Sequence, residues 1–339
     1  HAQNRTKKHA PTDREKDTQM AKPLEGRTYV VTGSGRGIGS EVAKLIAAQG
    51  GNVVVNDPGV NVDGTGGDKG PADTIANEIK AAGGNAVANF DTVATEAGGE
   101  NMIKQAIDTW GRIDGVIHVA GILRDRMIFN LSEQEWDEVV AVHMTGFFNV
   151  VKPASIIMRQ QRYGRIIGFS SGSGLNGNAG QSNYGAAKAG IAGGVRCAAR
   201  DLGRYGITSN GISPGAATRM TATVPDSATQ LRARAGIAVQ QRAPSIVNQL
   251  RDAKYVAPMT TYLMTDQAWN INGKIFYVSG GQVSLAHDET PYRTIAKPGK
   301  WTVDELRVLV PGQLMQGLRN PAPPPADLDL PGRPVAKAE

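Results

Sequence analysis

Residues 32–39 read TGSGRGIG, directly behind the β-branched run 29–31 and directly ahead of Ile38, Val42, Leu45 and Ile46, which recur at i, i+4, i+7 and i+8. This order predicts a strand, a tight turn and an amphipathic helix. Glycines let a backbone approach a pyrophosphate, and a helix N-terminus offers unpaired N–H groups with the positive end of a dipole. The turn therefore nominates Gly33, Ser34, Arg36, Gly37, Ile38 and Gly39 as cofactor contacts. Asp57 ends the next apolar run, 53–55, eighteen residues after Gly39. A carboxylate there can take the hydroxyls of an adenosine ribose. It also suits a turn former ahead of Pro58 and Gly59.

The same rhythm continues outward. Ile75 and Ile79 mark a helix before a strand at 86–90, and Ile103, Ala106, Ile107 and Trp110 mark another before 115–119. A long helical region at 132–160 leads to a strand at 165–169, and two more strands fall at 207–212 and 274–278. Seven strands separated by helices predict an α/β fold, a mostly parallel, doubly wound sheet covered on both faces. That unit spans 24–285. Residues 1–23 read as a polar tail, and 286–339 as an extension in which Thr302 and Glu305 stand at capping-box spacing ahead of Leu306 and Leu309, with Pro311 as a break. Six prolines among residues 321–339 favour an extended end.

Composition narrows the function classes. With 40% apolar and 20% charged residues among 339, the chain is neither disordered nor fibrous by composition. One cysteine, Cys197, excludes an internal disulfide framework, and its neighbours Val195 and Ala198 predict a packed thiol. The five histidines show no metal-ligand spacing, so no metal is expected. No apolar run approaches the roughly 20 residues of a bilayer span and the polar start is no secretory signal, so a cytoplasmic enzyme with no membrane partner is expected. The net charge of +6 suits an anionic ligand, but the first 20 residues, with five Lys/Arg against three Asp/Glu, account for +2 of it. No nucleic-acid partner is expected.

Tyr184 and Lys188 form YGAAK, an i,i+4 pair on one helix face, and Ser171 stands thirteen residues earlier at a strand end. Strand ends of doubly wound sheets border the ligand crevice. A tyrosine of ordinary pKa near ~10 must lose about two to three units to act as a base near neutrality, roughly 3 to 4 kcal/mol. Lys188 and an oxidised nicotinamide are cations that favour the phenolate, and Ser171 would hold the substrate oxygen. Standing alone, Tyr184 would read as an amphipathic core position and Lys188 as a solvated helix charge.

Together TGSGRGIG, Ser171, YGAAK and Pro214-Gly215 resemble the short-chain dehydrogenase/reductase family, over nearly all of 24–281. The segments VVVNDPG (53–59), AVANFD (86–91), GILRDR (121–126), VHMTGFF (142–148), YGRII (163–167) and GNAGQSNYGAAK (177–188) resemble the (3R)-hydroxyacyl-CoA dehydrogenase domain of peroxisomal multifunctional enzyme type 2 and its bacterial single-domain relatives. The resemblance implies a Rossmann-type fold and NAD-linked interconversion of a secondary alcohol and a ketone. Its implied substrates are a 3-hydroxyacyl-CoA, a steroid or a steroid side-chain CoA ester. It implies catalytic Ser171, Tyr184, Lys188 and His143. It places Asp57 on the ribose, Asp91, Thr92 and Val93 at the adenine, and Ala120 and Gly121 along the ribose and nicotinamide. Tyr184, Lys188, Pro214, Gly215 and Thr218 complete the cofactor set. It also implies a homodimer or homotetramer, paired through helices around 132–160 and 184–204.

Three departures stand against the family pattern. His118 and Val119 replace the two asparagines of the usual NNAG, so that turn must be held another way. His143 stands where most members carry an asparagine, although the multifunctional-enzyme branch shares a histidine there. Among Val139, Val140 and Val142 it suits a buried core position as well as a water relay. Residues 216–250, the expected substrate lid, match least well. Arg124 and Arg126 suit either CoA phosphates or a solvated loop. Arg36 keeps an NADP-dependent 3-oxoacyl reductase open, and a non-catalytic dinucleotide-binding regulator is the reading from another class.

Overall fold

The computed structural model describes residues 22–216, 252–288, 290–318, 320–322 and 324. The first β-branched run forms β1 (Thr28–Thr32), the TGSGRGIG turn follows, and α1 (Gly37–Ala48) runs back along the sheet. The alternation repeats through β2 (Asn52–Asn56), α2 (Gly70–Ala81), β3 (Asn85–Asn89), α3 (Glu96–Trp110) and β4 (Gly115–His118). Ser132 and Glu135 form a capping box that starts α4 (Glu133–Val140). A π-helical turn (Ala141–Thr145) joins α4 to α5 (Gly146–Gln161). Then come β5 (Gly164–Phe169), α6 (Gly172–Asn176), α7 (Ser182–Leu202), β6 (Ile207–Pro214), α8 (Ala257–Tyr262) and β7 (Ile275–Ser279).

The strand order is β3-β2-β1-β4-β5-β6-β7-β8, with the first seven parallel. All seven expected strands are present. The eighth, β8 (Gln282–Leu285), was not anticipated; it returns antiparallel to β7 at the edge. The physical reason is the Gly280–Gly281 pair directly behind β7, which makes a two-residue hairpin with Gly280 at φ +55°. Chain order reverses between β1 and β4, so a crevice opens at their C-terminal ends. On one face α1 packs with α2 and α8, and on the other α3 packs with α5 and α5 with α7. Central strands β1, β2, β4 and β5 are buried along their whole length.

Three local expectations change. Cys197 is exposed, because its position on α7 turns away from the buried stripe Ile191, Val195, Ala199. The continuous helical stretch Glu133–Gln161 is long and apolar enough by length and composition to cross a membrane, although polar and charged residues interrupt its apolar run. Pro311 does not end the helix in the extension: it lies in a π-helical turn (Val310–Leu314) that continues α9 (Val303–Leu309). The chain divides into two compact units, residues 286–324 falling in the second. There Thr302 and Glu305 form the expected capping box, Lys297 pairs with Glu305, and Arg293 donates to the Leu314 and Gln316 carbonyls. Residues 1–21 of the expected tail, 217–250 of the expected lid and the proline-rich end from 325 lie outside the described residues.

Strand β1 is tied to β4 by a buried carboxylate. Asp114 Oδ2 accepts the Thr28 N–H at 2.9 Å and the Arg112 Nε–H at 2.7 Å, while Oδ1 accepts Arg112 Nη2 at 2.8 Å. Asp114 is fully buried. Removing it strands a buried N–H, so Asp114→Ala is expected to lower the unfolding free energy by about 2–4 kcal/mol. Urea denaturation checks this, and an unchanged midpoint contradicts it.

Candidate active site

The glycine turn exists because three positions have no room for a side chain. Gly33 adopts φ +62°, and a Cβ on it would lie 2.7 Å from the Ala120 Cα. A Cβ on Gly39 would lie 2.2 Å from the Gly33 carbonyl oxygen, and one on Gly35 2.7 Å from Asp57 Oδ2. Helix α1 has no side-chain cap at Arg36 and no acidic residue in its first turn. Its positive end is thus open to an anion.

A cavity of about 700 Å³ runs from this turn across the strand ends. Gly33, Arg36, Gly37, Ile38, Gly39 and Asp57 line it, with Thr92 and Val93 beyond β3 and Ala120 and Gly121 beyond β4. Ser171, Tyr184, Lys188 and Pro214 line the same cavity. Asp57 is held by two backbone donors, Gly35 N–H at 2.9 Å and Gly59 N–H at 2.7 Å. These residues fit a dinucleotide: an uncapped helix end for phosphates, a fixed carboxylate for a ribose and a backbone cradle that a Cβ would fill.

Four nominated residues stand elsewhere. Ser34 is fully buried and donates its hydroxyl to the Val31 carbonyl at 2.7 Å, away from the cavity. Asp91 lies behind the lining, its carboxylate accepting from Asn89 Nδ2 at 2.9 Å and Asn101 Nδ2 at 3.2 Å. Gly215 is bonded into the sheet through Val278 O. His143 is fully buried behind Gly121: Nε2 meets the Ile122 carbonyl at 2.9 Å, and its ring stands edge-on to Tyr184 at 5.2 Å. Burial and the Lys188 charge hold its pKa well below the ordinary value, so it is neutral. Thr218 lies outside the described residues.

Ser171 caps α6, its hydroxyl accepting the Ser173 N–H at 3.2 Å; Tyr184 and Lys188 rise one turn apart on α7, and all three line the same cavity. Lys188 Nζ donates to the Phe169 carbonyl at 2.7 Å and sits 5.6 Å from the Tyr184 ring centre. Burial pushes the Lys188 ammonium down to about 7. Burial also raises the Tyr184 pKa; the Ser171 hydroxyl opposes the rise and the Asp125 charge adds to it. The expected depression of the phenol by Lys188 is therefore not met by the chain's own groups. Desolvation outweighs it.

Other contributors were not visible as motifs. Residues 58–69 make a loop whose Val60, Val62 and Gly64 line the cavity; Val62 O accepts from Leu123 N at 2.9 Å. Val60 packs against the apolar cluster of Ile122, Val139 and Ala187, as does Tyr184. The signal was present in the glycines at 59, 64, 66 and 67 between a strand and a helix. Asn183 is buried, accepts the Tyr184 N–H at 2.7 Å and donates to the Arg124 and Glu135 carbonyls, which fixes the start of α7. Arg124 pairs with Glu138 at 2.8 Å and Arg126 with Glu135 at 2.7 Å, so both guanidinium groups are committed to carboxylates.

Residues 33–282 match the family described as Enoyl-(Acyl carrier protein) reductase. The chain is 40% identical over 266 residues to peroxisomal multifunctional enzyme type 2 of Mus musculus, covering 78% of this chain and 33% of that protein. It is 34% identical over 304 residues to a hydroxyacyl-CoA dehydrogenase of Mycobacterium tuberculosis, covering 87% and 90% respectively. The crystal structure of a short chain dehydrogenase from Mycobacterium avium superimposes with a TM-score of 0.73 at 37% identity, covering 90% of this chain and 98% of that one. A doubly wound sheet with a phosphate-cradling turn and a Ser-Tyr-Lys cavity defines an NAD(P)-linked oxidoreductase. The chain belongs to the short-chain dehydrogenase/reductase family.

The buried lysine sets a stability slope. Its folded pKa of about 7 lies below the ordinary 10.5, so between those values the unfolded chain binds a proton that the folded chain does not. Stability of the ligand-free protein therefore rises with pH across that window, and the burial penalty is complete below about 7. Lys188→Met is expected to flatten this rise and to unfold at a higher temperature than wild type at pH 7. Thermal melts from pH 7 to 10 check it; identical slopes contradict it.

Proposed function

We propose that the chain interconverts the secondary alcohol and the ketone of a 3-hydroxyacyl-CoA, or of a steroid or steroid side-chain CoA ester, with NAD. One observation carries the reading: Ser171, Tyr184 and Lys188 open into the same cavity as the glycine turn and Asp57. Val60, Ile122, Val142 and Phe169 add apolar wall beside them, which suits an apolar acyl or ring body. The named activity of the mycobacterial relative, matched over 90% of its length, supports the acyl-CoA class. Exposed Met144, Phe148 and Ile156 around α5 support pairing of copies into a homodimer or homotetramer.

In the oxidative direction Tyr184 Oη takes the proton of the substrate hydroxyl, and Ser171 Oγ–H donates to the substrate oxygen. Lys188 brings a nearby side-chain charge of the sign that favours the phenolate, and Asn183 holds the backbone from which Tyr184 projects. When bound, an oxidised nicotinamide supplies the hydride acceptor and a positive ring charge beside the phenol. The dry surroundings that raise the Tyr184 pKa also strengthen every such interaction. Tyr184→Phe is expected to lower turnover at least about a hundredfold with dinucleotide affinity nearly intact, since ring packing is kept. Nicotinamide absorbance followed with a panel of hydroxyacyl-CoA esters, hydroxysteroids and simple alcohols measures this. Near-normal turnover contradicts the role, and no wild-type turnover on any of them favours the regulator reading.

The second reading, an NADPH-dependent 3-oxoacyl reductase, is favoured by Arg36, which lines the cavity with Asp57. Asp57 argues against it. Its carboxylate is fixed by Gly35 and Gly59, so a 2′-phosphate placed ~4 Å away meets a repulsion of about 4 kcal/mol at an effective dielectric near 20. NAD is expected to win by at least about tenfold in kcat/KM. Asp57→Asn, which keeps an acceptor and removes the charge, is expected to shift the preference toward NADP. A wild-type preference for NADP overturns the assignment.

A further inference from the structure

A polar row crosses the sheet at the C-terminal ends of its strands. Asn89, Asn56, Thr32 and His118 are register partners on β3, β2, β1 and β4. Within it the Thr32 hydroxyl accepts two N–H bonds, from Val119 at 3.1 Å and Ala120 at 3.2 Å. Both lone pairs are then used, and its hydrogen is left for His118 Nδ1 at 3.1 Å. Nδ1 must be bare to accept it. The ring proton therefore sits on Nε2, which donates to the His143 carbonyl oxygen at 3.0 Å. One neutral tautomer satisfies every contact, and the ring is fully buried.

The carbonyl that His118 holds belongs to the π-helical turn Ala141–Thr145. A π turn is a local insertion in an α-helix and persists where something outside the helix rewards it. Here the outside partner comes from β4. The turn presents the His143 ring to Gly121, where a Cβ would approach within 2.1 Å, and edge-on to Tyr184 at 5.2 Å. An unbroken path thus leads from Thr32, at the foot of the glycine turn, through His118 to the turn behind the tyrosine.

We propose that His118 is a positioning residue for the redox reaction: its Nε2-protonated imidazole clamps the π-helical turn to Thr32 and, through His143, sets where the Tyr184 ring stands. An asparagine cannot replace it fully. Its oxygen and nitrogen are both bonded to Cγ, whereas the imidazole carries Nε2 one atom further from the backbone than Nδ1 and so bridges Thr32 to the π-helical turn. Burial, and secondly the Lys188 charge, hold the His118 pKa down to about 3, so the tautomer survives any working pH.

The proposal rests on Tyr184 being the proton-transfer group, and two measurements separate the failure of each. First, ¹⁵N spectra of histidine-labelled wild type, with His118 assigned through His118→Asn, should show a neutral ring protonated at Nε2 that does not titrate between pH 5 and 8. Titration in that range, or a proton on Nδ1, overturns the clamp whatever the enzyme's substrate. Second, on whichever substrate of the panel turns over, His118→Leu should lower kcat at least about tenfold while dinucleotide Kd stays within about threefold, with His118→Asn between the two. In a His143→Ala background the same His118→Leu change should cost less than about twofold, because its route is already cut. Losses that multiply, or equal losses in kcat and Kd, overturn the positioning role. Should His118→Leu fail to fold, His118→Asn in the two backgrounds carries the same comparison.

Discussion

The candidate cofactor cavity depends on one close backbone approach. The turn after β1 passes so near the start of the loop after β4 that a single methyl on Gly33 would strike Ala120, and one on Gly39 would strike Gly33 itself. That proximity brings the N-terminus of α1, the β2 carboxylate of Asp57 and the residues beyond β4 to one end of one cavity. Thr32 closes the approach from below, using its hydroxyl to hold Val119 and Ala120 at the rim. The glycines are therefore a steric condition for the crevice before they are contacts in it.

The second feature is dryness. Lys188, Tyr184, His118 and His143 are all shifted chiefly by burial, each toward its neutral form. A folded protein gains nothing in stability from a lysine pushed down to about 7. Such desolvation is characteristic of sites where charge must move, because opposite charges then attract with little screening. The histidines complete the picture as neutral hydrogen-bonding parts, each meeting a backbone carbonyl rather than a carboxylate.

The βα rhythm, the cofactor turn and the nearness of Ser171, Tyr184 and Lys188 were legible in the chain because each rests on local spacing. Strand runs alternate with 3.6-residue periodicity, glycines cluster where the backbone turns, and an i,i+4 pair must share a helix face. The capping boxes at Ser132 and Thr302 belong to the same class, as four residues settle them. Local reading failed where one string admits two geometries. Gly280 and Gly281 suit an open loop or a hairpin, and Ser34 in a phosphate turn faces the ligand or the core.

What tertiary structure alone decided is pairing across long sequence separations. Arg124 and Arg126 are bound to Glu138 and Glu135, the loop at 58–69 lies against Ile122 and Leu123, and His118 reaches both Thr32 and His143. The protonation state of Tyr184 is of the same kind. Sequence supplied the lysine four residues on, yet the direction of the shift comes from the atoms that exclude water, contributed by elements far apart in the chain. Spacing encodes which groups can meet, whereas burial sums over the whole fold, and only the folded chain carries out that sum.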